Sequence, residues 1–235
     1  QNVAVKYREE LLTYQQLNSE VSAFASGLMS LKINAGDRVA IYTEKRLETV
    51  ISMFGASKAG CVYVPINPLL KADQVAYMMV DCGVRVLVTT NDRLVGLIPA
   101  LARCKDLKYI VVIGEITTQE TIPNIQLISW QKLNSSPKVP SHRVIDQDIA
   151  AILYTSGSTG NPKGVILSHR NITAGAYSVA EYLELTEKDR VLSVLPLSFD
   201  YGMNQLTTMF LVGGSAILMN HLFPKDIVTL IDKEK

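Results

Sequence analysis

The chain has 235 residues, room for one large α/β domain or two small ones. Hydrophobic residues make up 48 % and charged ones 19 %, with 14 Gly and 9 Pro, proportions that exclude a disordered, collagen-like or coiled-coil chain. Lys and Arg number 23 against 22 Asp and Glu, and the net charge of +1 lacks the basic surplus of a nucleic-acid binder.

Short β-branched runs alternate with longer amphipathic ones, the order that a parallel or mixed sheet with helical crossovers requires. A helix is predicted from Thr13 to Leu31, where Leu17, Val21, Phe24, Ala25 and Leu28 fall at three- and four-residue steps. After a turn at Gly36-Asp37 come a strand at Arg38 to Tyr42, a helix at Leu47 to Ala59 closed by Gly60, and a strand at Val62 to Val64 cut off by Pro65. A helix at Ala72 to Cys82, ended by Gly83, leads to a strand at Val84 to Thr89, a helix at Arg93 to Cys104 and a strand at Tyr109 to Ile113. From Gly114 to Asp148 polar residues and prolines surround one short apolar run, Ile125 to Ile128, and the segment reads as an excursion or linker. Regular order resumes with strand Ala150 to Thr155, a Gly-rich loop, strand Gly164 to Ser168 and helix Arg170 to Leu183. Strand Arg190 to Leu195, helix Gly202 to Val212, strand Ala216 to Met219 and helix Lys225 to Asp232 complete the series.

No apolar run reaches the roughly 18 residues of a membrane span, and the chain starts without a secretory leader. Cys61, Cys82 and Cys104 form no C-x-x-C pair and read as buried free thiols, which suits a reducing, cytoplasmic setting. His142, His169 and His221 are scattered without metal-ligand spacing, so no metal site built by the protein is expected, and His169 reads as structural. Gln1 stands where an initiator Met would, and Asp232 to Lys235 stop inside an apparent helix, so a piece of a longer protein is expected.

The segment Tyr154-Thr155-Ser156-Gly157-Ser158-Thr159-Gly160-Asn161-Pro162-Lys163-Gly164 is the densest in chemistry. Glycines let the backbone N–H groups approach an anion, hydroxyls add donors and Lys163 supplies a mobile positive charge, which together suit a polyphosphate. It is not a Walker loop, because Pro162 stands where the second Gly belongs and Gly164 follows the lysine in place of Ser or Thr. A plain polar hairpin loop is the other reading of these residues, although a turn needs only one or two of them.

The segment is similar at every position to the phosphate-binding signature of the AMP-forming adenylating enzymes, which include acyl-CoA synthetases and peptide-synthetase adenylation domains. Three weaker likenesses fall in that superfamily's order: Leu12-Thr13-Tyr14-Gln15-Gln16-Leu17, the stretch Lys58 to Pro68 with its Tyr63-Val64-Pro65, and Leu195-Pro196-Leu197-Ser198-Phe199-Asp200-Tyr201-Gly202. The resemblance implies an α/β fold of layered sheets with helical crossovers, the N-terminal large-domain portion of the acyl-CoA synthetase-like fold. On that fold residues 1–113 are expected as a first βα lobe, 114–148 as linker or excursion, and 149–235 as the lobe bearing the phosphate loop and substrate pocket, with the C-terminal domain absent.

The reaction implied is attack of a small carboxylic acid on the α-phosphorus of ATP, giving an acyl-adenylate and pyrophosphate, then transfer to a thiol of CoA or an acyl carrier protein. By the resemblance, Thr155, Ser156, Gly157, Ser158, Thr159, Gly160, Lys163 and Gly164 form the nucleotide-phosphate site, with Lys163 and Thr159 as catalytic groups and Mg2+ neutralising charge. Phe199, Asp200, Tyr201 and Asn204 are the implied substrate-binding residues. In amino-acid-activating members an Asp after Phe pairs with the substrate ammonium, and Asp200 matches it, whereas Tyr201-Gly202-Met203 resembles the acyl branch. Asp200 also reads as a helix-capping carboxylate. The stretch Pro196 to Leu206 is similar to acyl-CoA ligases of bacterial exopolysaccharide and exosortase systems. Motifs that follow in complete members, among them the Glu that serves Mg2+ and the ribose-binding Asp, do not occur in this sequence. The expectation is therefore the N-terminal portion of an acid–CoA ligase, probed against two alternatives: an amino-acid adenylation domain loading a carrier protein, and a non-catalytic nucleotide-binding remnant.

Overall fold

A computed structural model describes residues 2–118, 120–155, 161–220 and 223–234. In chain order the elements are β1 (Val3–Tyr7), β2 (Glu10–Thr13), α1 (Tyr14–Ser30), β3 (Arg38–Tyr42), α2 (Leu47–Lys58), β4 (Val62–Pro65), α3 (Ala72–Asp81), β5 (Val84–Thr90), α4 (Asn91–Leu101) and β6 (Tyr109–Ile113). They continue with β7 (Gln126–Ser129), α5 (Trp130–Asn134), β8 (Ile149–Thr155), β9 (Lys163–Ser168), α6 (His169–Tyr182), β10 (Arg190–Ser193), α7 (Asp200–Val212), β11 (Ser215–Leu218) and α8 (Pro224–Glu234).

Two sheets result, one of seven strands in the order β7-β6-β5-β3-β4-β8-β9 and one of four in the order β10-β11-β1-β2. Pairing is parallel except at β1/β2 and β8/β9. The order reverses beside β3, since α2 carries the chain to β4 on one side and α3 carries it back to β5 on the other.

The central strands are apolar on both faces because both faces are covered. Val39, Ile41, Val86, Val88 and Val111 pack with α1, α2 and the four-stranded sheet, to which Ala4, Val5, Ala216 and Leu218 belong. The alternate residues Ala40, Val64, Leu87, Ile110 and Val112 pack with Val75 and Met79 of α3 and Leu94, Leu97 and Leu101 of α4. α1 begins where the sequence places it, with Thr13 as N-cap accepting from the Gln16 N–H while the Gln16 side chain reaches back to the Thr13 N–H.

The structure departs from the sequence reading at two places. The chain starts with a β1/β2 hairpin, turned at Arg8 with φ 57°. Its charged turn and half-exposed second strand hide the alternation on which strand recognition rests. Residues 114–148 are not connection throughout: the apolar run forms β7, an edge strand parallel to β6, and Ser129 caps α5. Trp130 stacks on Phe24 at 5.2 Å between ring centroids, and Leu133 closes on α1 so tightly that a Cβ on Gly27 would lie 2.6 Å from its Cγ. The sheets also interleave along the chain, β8 and β9 joining the strands of residues 38–129 and β1 and β2 joining β10 and β11.

Candidate functional site

The Gly-rich segment joins two antiparallel strands, with Tyr154 opposite Gly164 and Thr155 opposite Lys163. Ser156, Gly157, Ser158, Thr159 and Gly160 lie outside the described residues. Thr155 and Lys163 therefore flank the loop as exposed side chains at the carboxyl end of β8, next to the carboxyl end of its parallel partner β4. In open α/β sheets, ligands bind at that edge beside the reversal of strand order. The base of the loop is anchored by Tyr154, whose hydroxyl donates to Asp81 Oδ2 at 2.6 Å at the end of α3. Burial and that carboxylate together push the phenol well above its ordinary range. His169 opens α6 behind β9, its Nε2 buried without a partner, and burial lowers its pKa against the opposing pull of Asp148.

α7 carries the residues of the implied substrate pocket. Its N-cap is Phe199, whose side chain caps nothing, and Asp200 stands in the first turn. No hydrogen bond or ion pair joins the Asp200 carboxylate to any other described residue, so it does not act as the helix cap. With Asn204 and Met203 it lines a cavity of about 210 Å3 completed by Leu167, Asn171, Ile172 and Gly175 of the β9–α6 unit. The Asn204 amide oxygen accepts from Thr208 Oγ1 at 3.0 Å, which fixes its orientation. Phe199 and Tyr201 are 55 % and 70 % exposed and do not line this cavity. Nor do Thr155 and Lys163, so the structure brings Asp200 and Asn204 together and leaves the phosphate-loop ends apart from them.

Residues that sequence reasoning gave no chemical role hold this region in place. Buried Tyr63 on β4 points its hydroxyl at Met203 Sδ, 2.8 Å away, and burial together with the charge of Asp200 raises its pKa. Lys45, just past β3, is 8 % exposed and donates to the carbonyls of Ser193, Val194 and Leu195 at 2.7, 2.8 and 3.1 Å. Burial pulls its ammonium down to about 8. Only the polar Thr-Glu-Lys after an apolar strand marks it in the sequence. Lys45 borders a second cavity, of about 570 Å3, at the carboxyl ends of β3, β4, β10 and β11. At its rim Arg93 pairs with Glu44, donates to the Pro68 carbonyl at 2.6 Å and sits 4.9 Å above the Tyr42 ring.

The AMP-binding enzyme family profile matches residues 1–235. The chain belongs to this family of adenylating enzymes, and its sheets and crossovers are those of the N-terminal domain of acyl-CoA synthetase-like ligases. It is 31 % identical over 234 residues to gramicidin S synthase 2 of Brevibacillus brevis, covering 100 % of this chain and 5 % of that protein. To surfactin synthase subunit 2 of Bacillus subtilis (strain 168) it is 31 % identical over 236 residues, covering 100 % of this chain and 6 % of that one. Among solved structures it is similar to the anthranilate CoA ligase AuaEII in complex with anthranoyl-AMP, with a TM-score of 0.89 and 27 % identity over 98 % of this chain and 45 % of that chain. ATP-bound MatB from Rhodopseudomonas palustris shares the fold at a TM-score of 0.82 and 22 % identity, over 99 % of this chain and 45 % of its own. The chain thus spans a small part of the two synthases it matches and under half of these two solved chains.

Proposed function

We propose that the protein to which this chain contributes is an AMP-forming acid–thiol ligase whose substrate carries an ammonium group beside its carboxylate. The observation that carries this reading is Asp200: a carboxylate unpaired among the described residues, held in the first turn of α7, in a small cavity shared with Asn204. A carboxylate so placed is a ready partner for a substrate cation. The 31 % identity to gramicidin S synthase 2 supports the same reading. A second reading, an acid–CoA ligase for an acid without an amino group, rests on Tyr201-Gly202-Met203, which resembles the acyl branch.

In either case a carboxylate must approach a polyphosphate, and the obstacle is charge repulsion. Lys163 at the loop's end supplies positive charge to the β- and γ-phosphates, and the Thr155 hydroxyl donates to them. Loss of pyrophosphate leaves an acyl-adenylate for attack by a CoA or carrier-protein thiol. The described residues contain no convergence of three His, Cys, Asp or Glu able to hold a metal ion. No helix among the described residues is long and apolar enough to cross a membrane, and a cytoplasmic location remains part of this proposal.

Carboxylate-dependent ATP–pyrophosphate exchange by the complete protein, with amino, aryl and fatty acids as alternatives, tests the reading. Asp200→Ala is expected to lower kcat/KM for amino acids by about 10- to 100-fold, the loss of one charged hydrogen bond, with little effect on other acids. Equal losses on all acids would return Asp200 to a structural role, and absence of exchange with every acid would overturn the assignment.

A further inference from the structure

We propose that Lys45 is a positioning residue that sets the entry angle of α7, and through it the place of Asp200, by holding three consecutive carbonyls of the segment that leads into the helix. The inference rests on the proposed role of Asp200 as the substrate's partner. An ammonium has three protons to donate, and Lys45 Nζ has three acceptors, the carbonyls of Ser193, Val194 and Leu195 at 2.7, 2.8 and 3.1 Å. Its stem crosses from the end of β3 in the seven-stranded sheet to the end of β10 in the four-stranded one. The backbone from which it starts is itself held: the Lys45 N–H donates to Asn220 Oδ1 at 3.1 Å, and Asn220 Nδ2 donates to the Lys45 carbonyl at 2.7 Å, just past β11. Lys45 is thereby fixed at both ends, to β11 through its backbone and to β10 through its side chain.

The third acceptor transmits the hold. The Leu195 and Pro196 carbonyls lie over the Cα of Gly202, so close that a Cβ there would sit 3.1 Å from the Leu195 oxygen and 2.0 Å from the Pro196 oxygen. The Phe199 N–H donates to the same Pro196 carbonyl at 3.1 Å and closes the turn before Asp200. Lys45, Leu195, Gly202 and Asp200 form one contiguous path of packed or bonded groups, and the turn between β10 and α7 has no other cation bonded to its carbonyls among the described residues. A side chain without the ammonium leaves the Val194 and Leu195 carbonyls without this donor and frees the turn to tilt.

The test has two readouts. In the complete protein, Lys45→Met is expected to raise KM for the carboxylic acid about tenfold while KM for ATP stays within about twofold, and Lys45→Arg, which keeps charged donors, to recover most of the loss. Hydrogen exchange of the same variants is expected to accelerate for residues 194–204 and to leave residues 84–113 unchanged. Should Lys45→Met fail to fold, Lys45→Gln carries both measurements. The proposal is overturned if KM for acid and ATP rise together, if Lys45→Arg recovers nothing, or if exchange is unchanged or faster throughout. Absence of pyrophosphate exchange by the unaltered protein would instead overturn the proposed function, and hydrogen exchange alone would then decide whether Lys45 governs the α7 entry.

Discussion

Replacing Gly202 with alanine places a methyl carbon 2.0 Å from the Pro196 carbonyl oxygen and 2.7 Å from its carbon. Both are backbone atoms, so no side-chain rotation relieves the overlap, and the turn or the start of α7 must move by about 1 Å or more to restore contact distance. Alanine in a helix is worth about 1 kcal/mol over glycine, which opposes the steric cost. Overpacking of a well-filled site costs about 1–3 kcal/mol, and a clash with a rigid peptide falls at the upper end. The net expectation is a loss of about 1–2 kcal/mol, read as a lower midpoint in urea unfolding with an unchanged slope. Activity should fall by more than the loss of stability implies, because the displaced turn carries Asp200. A stability equal to or above that of the unaltered protein would refute the reasoning, since propensity would then have won over sterics.

Two further outcomes follow from the described geometry. His169 is held with its pKa below the ordinary value near 6.5, so the unfolded chain takes up its proton first as pH falls. Its contribution to stability is complete above about pH 6.5 and declines as pH drops through that value towards the folded pKa, a decline that His169→Gln should remove from a pH series of unfolding midpoints. Lys163→Met, at an exposed position, should leave the unfolding midpoint nearly unchanged while lowering the pyrophosphate-exchange rate by about 10²- to 10³-fold, as loss of a group that stabilises phosphoryl charge does. A rate within a few-fold of the unaltered protein would remove Lys163 from the phosphate site.

Legibility of the fold in the sequence tracks burial. Strands β3 to β6 are apolar on both faces and stand out as β-branched runs, and the helices between them show their stripes at three- and four-residue steps. β2 has no fully buried residue and leaves no such trace, while β7, an edge strand, shows only as one short apolar run among polar residues and prolines. The Gly-rich signature is legible because it is local, eleven adjacent residues from Tyr154 to Gly164. Lys45 is not, because its partners are main-chain carbonyls well over half the chain away, and a carbonyl has no residue identity to read. Tyr63 shows the intermediate case: its strand is plain, but the contact of its hydroxyl with Met203 depends on how two sheets are stacked.

The position of β1 between β2 and β11 has a consequence for biosynthesis. Val5 pairs with Ala216, so β1 leaves the ribosome long before the strand that satisfies its second edge. Until then the β1/β2 hairpin presents an open row of N–H and C=O groups together with the apolar side chains of Ala4 and Val5. Closing so long a loop is slow, because its entropy is lost before any contact across it repays the loss. A nascent chain stalled before residue 215 would therefore carry a sticky ribbon at this hairpin, a place for a chaperone, or a neighbouring nascent chain, to take hold.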